Sequence, residues 1–256
     1  MKMKKLRTLV VVALCATLMS LSSAIGQTAD EIMKKVDNRV VPKDMKSIMK
    51  MNLIDSKNNV RQKDLKTYML GDDKMMMWFL SPADVKGSSF YKISYDDKDD
   101  DMWIYLPALG KVRRIASSAK NGSFMGSDFT YEDMGDRKLK DYAYKLLKSE
   151  TVGGKQCWVV ESTPKPGIST DYSKIVSWIW KDDYFALKEE FYNKKGTLKK
   201  VKTAELIKVK TYWMPKKYLM DDLSASHKTE LTFDKIEVDT GLDPSIFDQN
   251  NMTKIF

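Results

Sequence analysis

After Pro42 the sequence keeps a period of two almost to its end, and this alternation limits the fold more than any other feature. In "MKSIMKMNL", Met45, Met49, Met51 and Leu53 fall on one face of an extended chain while Lys46, Lys50 and Asn52 fall on the other. That is the pattern of a strand with one buried side. Twelve comparable runs follow: "DLKTYMLG", "KMMMWFLS", "SFYKISY", "DMWIYLP", "KVRRIAS", "AYKLLKSETV", "KQCWVVEST", "IVSWIWK", "ALKEEFYN", "LKKVKTAELIKVKTYWMP", "KYLMDDL" and "KTELTFDKIEV". Between them stand turn-forming stretches such as "DSKNN", "GDD", "PALGK", "VGGK" and "NKKG", so the natural product is an antiparallel meander.

Three details turn the meander into a curled sheet. The run from Lys199 to Trp213 is long for a flat strand and is expected to bend with its sheet, carrying Lys200, Lys202, Lys208 and Lys210 on one side, read first as a solvated outer face or protected edge and alternatively as a contact surface for anionic lipid headgroups or an acidic partner. In "LTFDKIEV" the apolar register shifts from Leu231 and Phe233 to Ile236 and Val238, which places a bulge at Asp234–Lys235. Runs such as "MMMWFL", "MWIYL" and "IVSWIW" are apolar on both faces and need cover on both. The fold class is therefore mainly β (α+β): a strongly curved antiparallel sheet, an incomplete and half-open β-barrel, with helical cover on its open side. One long helix is legible, "TADEIMKKVDNRV", with a Thr28 cap, Glu31 three residues on, and Ile32, Val36 and Val40 on one face before Pro42 ends it.

Residues 1–26 read as a secretory signal, with Lys2, Lys4, Lys5 and Arg7 ahead of an apolar run and small residues near Gly26. The expected mature chain, residues 27–256, has no linker or repeat to divide it and is read as one domain in the periplasm, with a monomer as the expected state. The net charge of +9 falls by the four basic residues of the signal, a moderate excess that is no nucleic-acid signature. Cys157 is the one cysteine left and is expected to be a buried, inert thiol.

The stretch "NGSFMGSDFTYEDMGD" (residues 121–136) has the density of polar groups associated with a reaction centre, yet it does not meet the needs of one. The chain has a single histidine, His227, and neither Ser123 nor Ser127 lies in a nucleophile elbow. Carboxylates are abundant but sit mostly in turns with no framed pair. "DDKDDD" lacks the glycine and distal glutamate of a calcium loop and reads as a solvated hairpin tip. Cys157 and His227 have no companions for zinc, and no phosphate-cradling glycine loop is present, so neither metal nor other cofactor is expected. The stretch is read as architecture: Phe124 and Phe129 anchor it in the core, Ser127 or Asp128 caps a helix, and Arg113 and Arg114 pair with Asp128, Glu132 or Asp133 to latch it as a lid.

"WIYLPALGKVRRIA" followed by "NGSFMGSDFTYEDM", with the closing "GLDPSIFDQNNM", resembles the bacterial outer-membrane lipoprotein-sorting proteins, relatives of the LolA and LolB lipoprotein carriers. The resemblance implies a half-barrel with helices plugging its mouth, a cavity for acyl chains and periplasmic residence. It implies a non-enzymatic carrier that moves a lipid or lipoprotein acyl chain toward the outer membrane, with an inner-membrane lipid-exporting transporter as a partner. The alternative is a non-transporting accessory or sensor of such a transporter, and a hydrolase of envelope material is a third reading. Seventeen methionines and six tryptophans suit an adaptable apolar cavity. Met49, Met51, Met77, Phe79, Trp103 and Trp178 are the expected lining residues, subject to which face of each strand turns inward.

Overall fold

The computed structural model describes residues 27–256; the expected signal at residues 1–26 lies outside the described residues. Helix α1 (Ala29–Asp37) is followed by β1 (Asp44–Ile54), β2 (Val60–Leu70), β3 (Lys74–Ser81), β4 (Ser89–Ile93), β5 (Asp101–Leu106) and β6 (Lys111–Arg114). After a long loop come β7 (Tyr142–Val152), β8 (Lys155–Pro164), β9 (Tyr172–Trp180), β10 (Ala186–Asn193), β11 (Leu198–Val209), β12 (Tyr212–Asp222) and β13 (His227–Val238). All thirteen form one sheet in the order β6-β5-β4-β3-β2-β1-β13-β12-β11-β10-β9-β8-β7. It is a mostly β, curved, open antiparallel sheet, a half-open barrel. Two meanders meet along β1 and β13, from Met45 opposite Val238 to Ile54 opposite Lys228. The sheet's two free edges are β6 and β7, and residues 115–141 connect them across its inner face.

The inner face carries the main core. Met49, Met51 and Leu53 of β1 pack with Leu65 of β2, Met77 and Phe79 of β3, Phe90 of β4 and Met102 of β5, and with Phe124 and Phe129 of the crossing loop. On the outer face, Tyr68, Met76, Trp78, Tyr91 and Trp103 are covered by Leu242, Phe247 and Met252 of the C-terminal segment. This explains the strands that are apolar on both sides: one face meets the barrel interior and the other meets the chain's own tail. Asp44 fixes the start of that tail, its carboxylate accepting from the Thr240 and Gly241 N–H groups, both at 2.8 Å, and from the Thr240 hydroxyl at 2.7 Å. The Tyr91 hydroxyl donates to the Phe247 carbonyl at 2.7 Å.

Helix α1 starts as its sequence indicates, with Thr28 and Glu31 forming a reciprocal capping box. Ala29 and Ile32 pack on Val160 and Ile179 of the inner face. It stops earlier than expected, at Asn38, whose amide side chain donates to the Lys34 carbonyl at 2.6 Å. Val40 therefore leaves the helical face and is 75% exposed. The bulge in β13 lies where the register shift placed it: Ile48 faces Lys235 and Met49 faces Phe233, which leaves Asp234 unpaired.

The expected long strand is two. A tight turn at Lys210–Thr211, with Lys210 at φ 54°, ends β11 and begins β12. "KVKTYW" contains none of the residues that usually announce such a turn. Pro215 lies inside β12, where a register slip between Glu205 and Leu206 accommodates it. The stripe of lysines is also not uniformly outward. Lys200 is buried, and Lys202 turns inward to pair with Glu189, whereas Lys208 is exposed.

Candidate functional site: a methionine-lined cavity behind a strapped loop

A cavity of about 320 Å³ lies against the inner face, at the lower end of the range for small-molecule sites. Eight methionines line it: Met45, Met49, Met51, Met69, Met75, Met77, Met134 and Met214. The strand period explains most of them. Odd residues of β1 turn inward, and the register sets Met45 opposite Met69, Met49 opposite Leu65, and Met69 opposite Met75, so inward positions on three strands form one wall. The lining runs from Val41, Pro42, Gly71 and Pro215, in the linker, a hairpin turn and the start of β12, down to Phe124, Phe129 and Leu231.

The loop closes the inner end, and the sheet straps it down. Ser123 and Thr130 form an isolated bridge, and between them Met125 (φ 52°) and Gly126 (φ 76°) make a left-handed reversal. The Phe124 N–H donates to the Phe129 carbonyl at 2.7 Å, which sends both rings toward the core. Three buried lysines hold the loop. Lys63 donates to the Met125 carbonyl, Lys200 to the Asp128 carbonyl at 2.6 Å and Asp133 at 3.3 Å, and Lys92 to Asp136 at 2.9 Å. Burial pulls the Lys63 ammonium below its usual range. The Tyr172 hydroxyl donates to Asp133 at 2.8 Å; burial and the adjacent carboxylate raise its pKa, so it remains a neutral donor.

At the tip, Asp128 accepts from the Thr229 hydroxyl at 2.6 Å, and its carboxylate lies 2.7 Å from His227 Nδ1. Farther along, Arg137 and Lys202 both pair with Glu189, whose side chain is 1% exposed. Burial alone would raise the Glu189 pKa, but the two cations outweigh it and hold the carboxyl well below its ordinary range. Burial pushes Glu132 upward, partly offset by bonds from Thr170 and the Asp171 N–H.

The structure thus brings together some expected site residues and separates others. Met49, Met51 and Met77 line the cavity and Phe124 and Phe129 close it; Phe79 stands behind the lining, its ring centroid 6.3 Å from that of Phe124. Trp103 stacks on Tyr91 beneath the C-terminal segment, because the inward residue of β5 is its neighbour Met102. Trp178 packs with Cys157, Val159 and Trp180, because Ser177 is the residue of β9 that meets inward-facing Glu189. Arg114 pairs with Asp101 on β5, and Arg113 is exposed opposite Ile104. Neither reaches Asp128, Glu132 or Asp133, since β6 is a sheet edge and the loop's acidic groups face the far meander. Residues 121–138 contain no helix for Ser127 or Asp128 to cap. Instead the Thr130 hydroxyl accepts from the Asp133 N–H at 3.1 Å, and Asp133 accepts from the Thr130 N–H at 2.8 Å.

The straps Lys63, Lys92, Lys200 and the Glu189 pair were not anticipated, because a lysine in an alternating strand ordinarily marks the wet face. Met45 was legible from its shared face with Met49. The "DDKDDD" tip is solvated through Asp99, but Asp100 is buried and accepts from Lys138 at 2.7 Å and from the Asp136 N–H at 2.7 Å. Among the described residues no group of three metal-ligating side chains is found, and no helix is long and apolar enough to cross a membrane.

A family model described only as uncharacterized protein-like matches residues 71–254. The chain is 33% identical to an outer-membrane lipoprotein-sorting protein domain from Vibrio parahaemolyticus, with a TM-score of 0.80 over 88% of this chain and 98% of that one. A DUF1329 family protein from Desulfovibrio piger is 31% identical, with a TM-score of 0.82 over 88% and 97% of the two chains. A LolA superfamily protein from Nitrosomonas europaea, 18% identical, shares the fold at a TM-score of 0.68 over 88% and 99%. No curated protein matches the sequence.

Proposed function

Since the chain belongs to the outer-membrane lipoprotein-sorting proteins, we propose that it is a periplasmic carrier that shelters an acyl chain of a lipid or lipoprotein and moves it toward the outer membrane. The cavity carries this reading: eight methionines surround a space of about 320 Å³, and flexible thioether side chains fit chains of varied shape at little strain. Each methylene transferred from water to such a wall contributes about 0.8 kcal/mol, so one chain supplies ample affinity without any bond being made or broken. Delivery then requires a membrane or receptor that competes for the same chain, and an inner-membrane lipid-exporting transporter is the partner proposed for loading.

The test is native mass spectrometry of the mature protein purified from its own periplasm, with organic extraction of whatever is bound. Stoichiometric lipid or acylated protein is the expected result. An empty protein that retains a membrane-protein partner would replace the carrier with an accessory module of a transporter.

A further inference from the structure

We infer that the cavity selects acyl chains carrying a carbonyl group near the headgroup, through a hydroxyl pair formed by Ser47 and Thr67. The inference rests on the carrier reading and adds to it the chemistry of the bound chain. Ser47 lies on the inward side of β1 between Met45 and Met49, which both line the cavity. It is 3% exposed, and its hydroxyl has no hydrogen-bond partner among the described residues. Leaving a buried hydroxyl unpaired is costly, and its neighbour on β13 is Ile236, which offers nothing in exchange.

The residue opposite Ser47 on β2 is Thr67, and side chains so paired have Cβ atoms about 5 Å apart. Thr67 lines the cavity. Its hydroxyl donates only to the Met49 sulfur, at 3.2 Å, and a thioether is a weak acceptor that a better one displaces. Thr67 thus offers a weakly engaged O–H on the wall, and Ser47, buried directly beside it and flanked by the lining residues Met45 and Met49, holds a second that the flexible methionines can uncover; the charged lining groups Arg39, Asp72, Lys92, Asp133 and Lys202 complete a wall otherwise supplied chiefly by methionine and aromatic side chains.

Their depth suits an acyl carbonyl. Ser47 stands about 7 Å in from Met45 at the mouth and about 13 Å above Met51 near the closed end, at the usual strand rise. A chain entering from the mouth would place its headgroup outside, its carbonyl oxygen at the pair to accept from either hydroxyl, and its methylenes against Met49, Met51 and Met77.

The probes are dodecanoyl lysophosphatidylcholine and its dodecyl ether counterpart, which lacks the carbonyl, titrated calorimetrically below their micelle concentrations into the delipidated mature protein. Wild type is expected to bind the ester about fivefold more tightly than the ether, the ratio of one modest hydrogen bond. Ser47→Ala combined with Thr67→Val, checked for an unchanged fold by thermal unfolding, should lose that ratio while keeping the ether affinity. Ser47→Thr, which keeps the donor, reports separately if the double variant does not fold, and should retain the preference. Equal wild-type affinities for ester and ether would overturn the inference and leave the carrier reading standing. Binding of neither probe would remove both.

Discussion

Asp128 and Thr229 are joined twice: the Thr229 hydroxyl accepts the Asp128 N–H at 2.9 Å and donates to the Asp128 carboxylate at 2.6 Å. Both residues are buried, so the tip of the crossing loop is fixed to β13 by a closed pair of bonds. Thr229→Val keeps the shape and removes both. With about 1–3 kcal/mol for each of the two buried groups left unsatisfied, the expected loss is roughly 2–6 kcal/mol. Hydrogen exchange should show residues 124–128 opening well before the strands, and unchanged protection there would mean the lysine straps hold the tip unaided.

Glu189→Gln is expected to be costlier, because Arg137 and Lys202 would be left facing a neutral amide in a buried site. Removing one partner of such a cluster costs about 3–5 kcal/mol. The wild-type carboxyl is held below its ordinary value of 4.5 in the folded state. Its contribution is therefore fully present above the unfolded pKa and is lost as pH falls below about 4.5 toward the folded value. Urea midpoints between pH 7 and pH 3 should fall more steeply for wild type than for the variant, and parallel curves would contradict the assignment.

Asp44→Asn addresses the C-terminal segment. The Asp44 carboxyl is lowered from 3.8: burial opposes ionisation, and the bonds from Thr240, Gly241 and Leu242 outweigh it. An amide can offer only one acceptor oxygen to those donors, so about 1–3 kcal/mol should be lost. Tryptophan emission should shift red as the cover over Trp78 and Trp103 loosens, and an unshifted spectrum would show that Phe247 and Met252 hold the segment without the Asp44 clamp.

Arg39 bridges the mouth. It donates to Asp183 and to the Trp213 carbonyl, both at 3.3 Å, and its guanidinium lies 4.9 Å from the Phe185 ring centroid. Arg39→Ala should change stability by only about 1 kcal/mol, as partly exposed pairs do, yet free the linker that carries Val41 and Pro42. Release of a bound fluorescent fatty acid should accelerate severalfold in stopped flow. An unaltered rate would exclude the linker as the gate.

The strands were legible because alternation reports burial directly: Met45, Met49 and Met51 share a face in the sequence and line one wall in space. The bulge at Asp234 was legible for the same reason, as an odd offset in that alternation. The Lys210–Thr211 turn was not, since a lysine at φ 54° leaves no compositional mark. Trp103 and Trp178 sit in strands apolar on both sides, where periodicity cannot tell inside from outside, and only the partners Met102 and Glu189 decide it. The buried lysines leave no mark in the alternation because what they bind is a loop more than 40 positions away, whose acceptors are as much the carbonyls of Met125 and Asp128 as the carboxylates of Asp133 and Asp136.

The seam between β1 and β13 has a kinetic meaning. Each meander is built from strands adjacent in sequence, and such contacts close short loops. The pairing of Met45 with Val238 instead joins the first and last strands in chain order, and contacts of that span slow folding. The two meanders are thus free to form early and independently, with the seam joined last. The cavity is lined from both halves, by Met49 and Met77 on one side and by Met214 and Leu231 on the other, so its wall is complete only once the seam is joined.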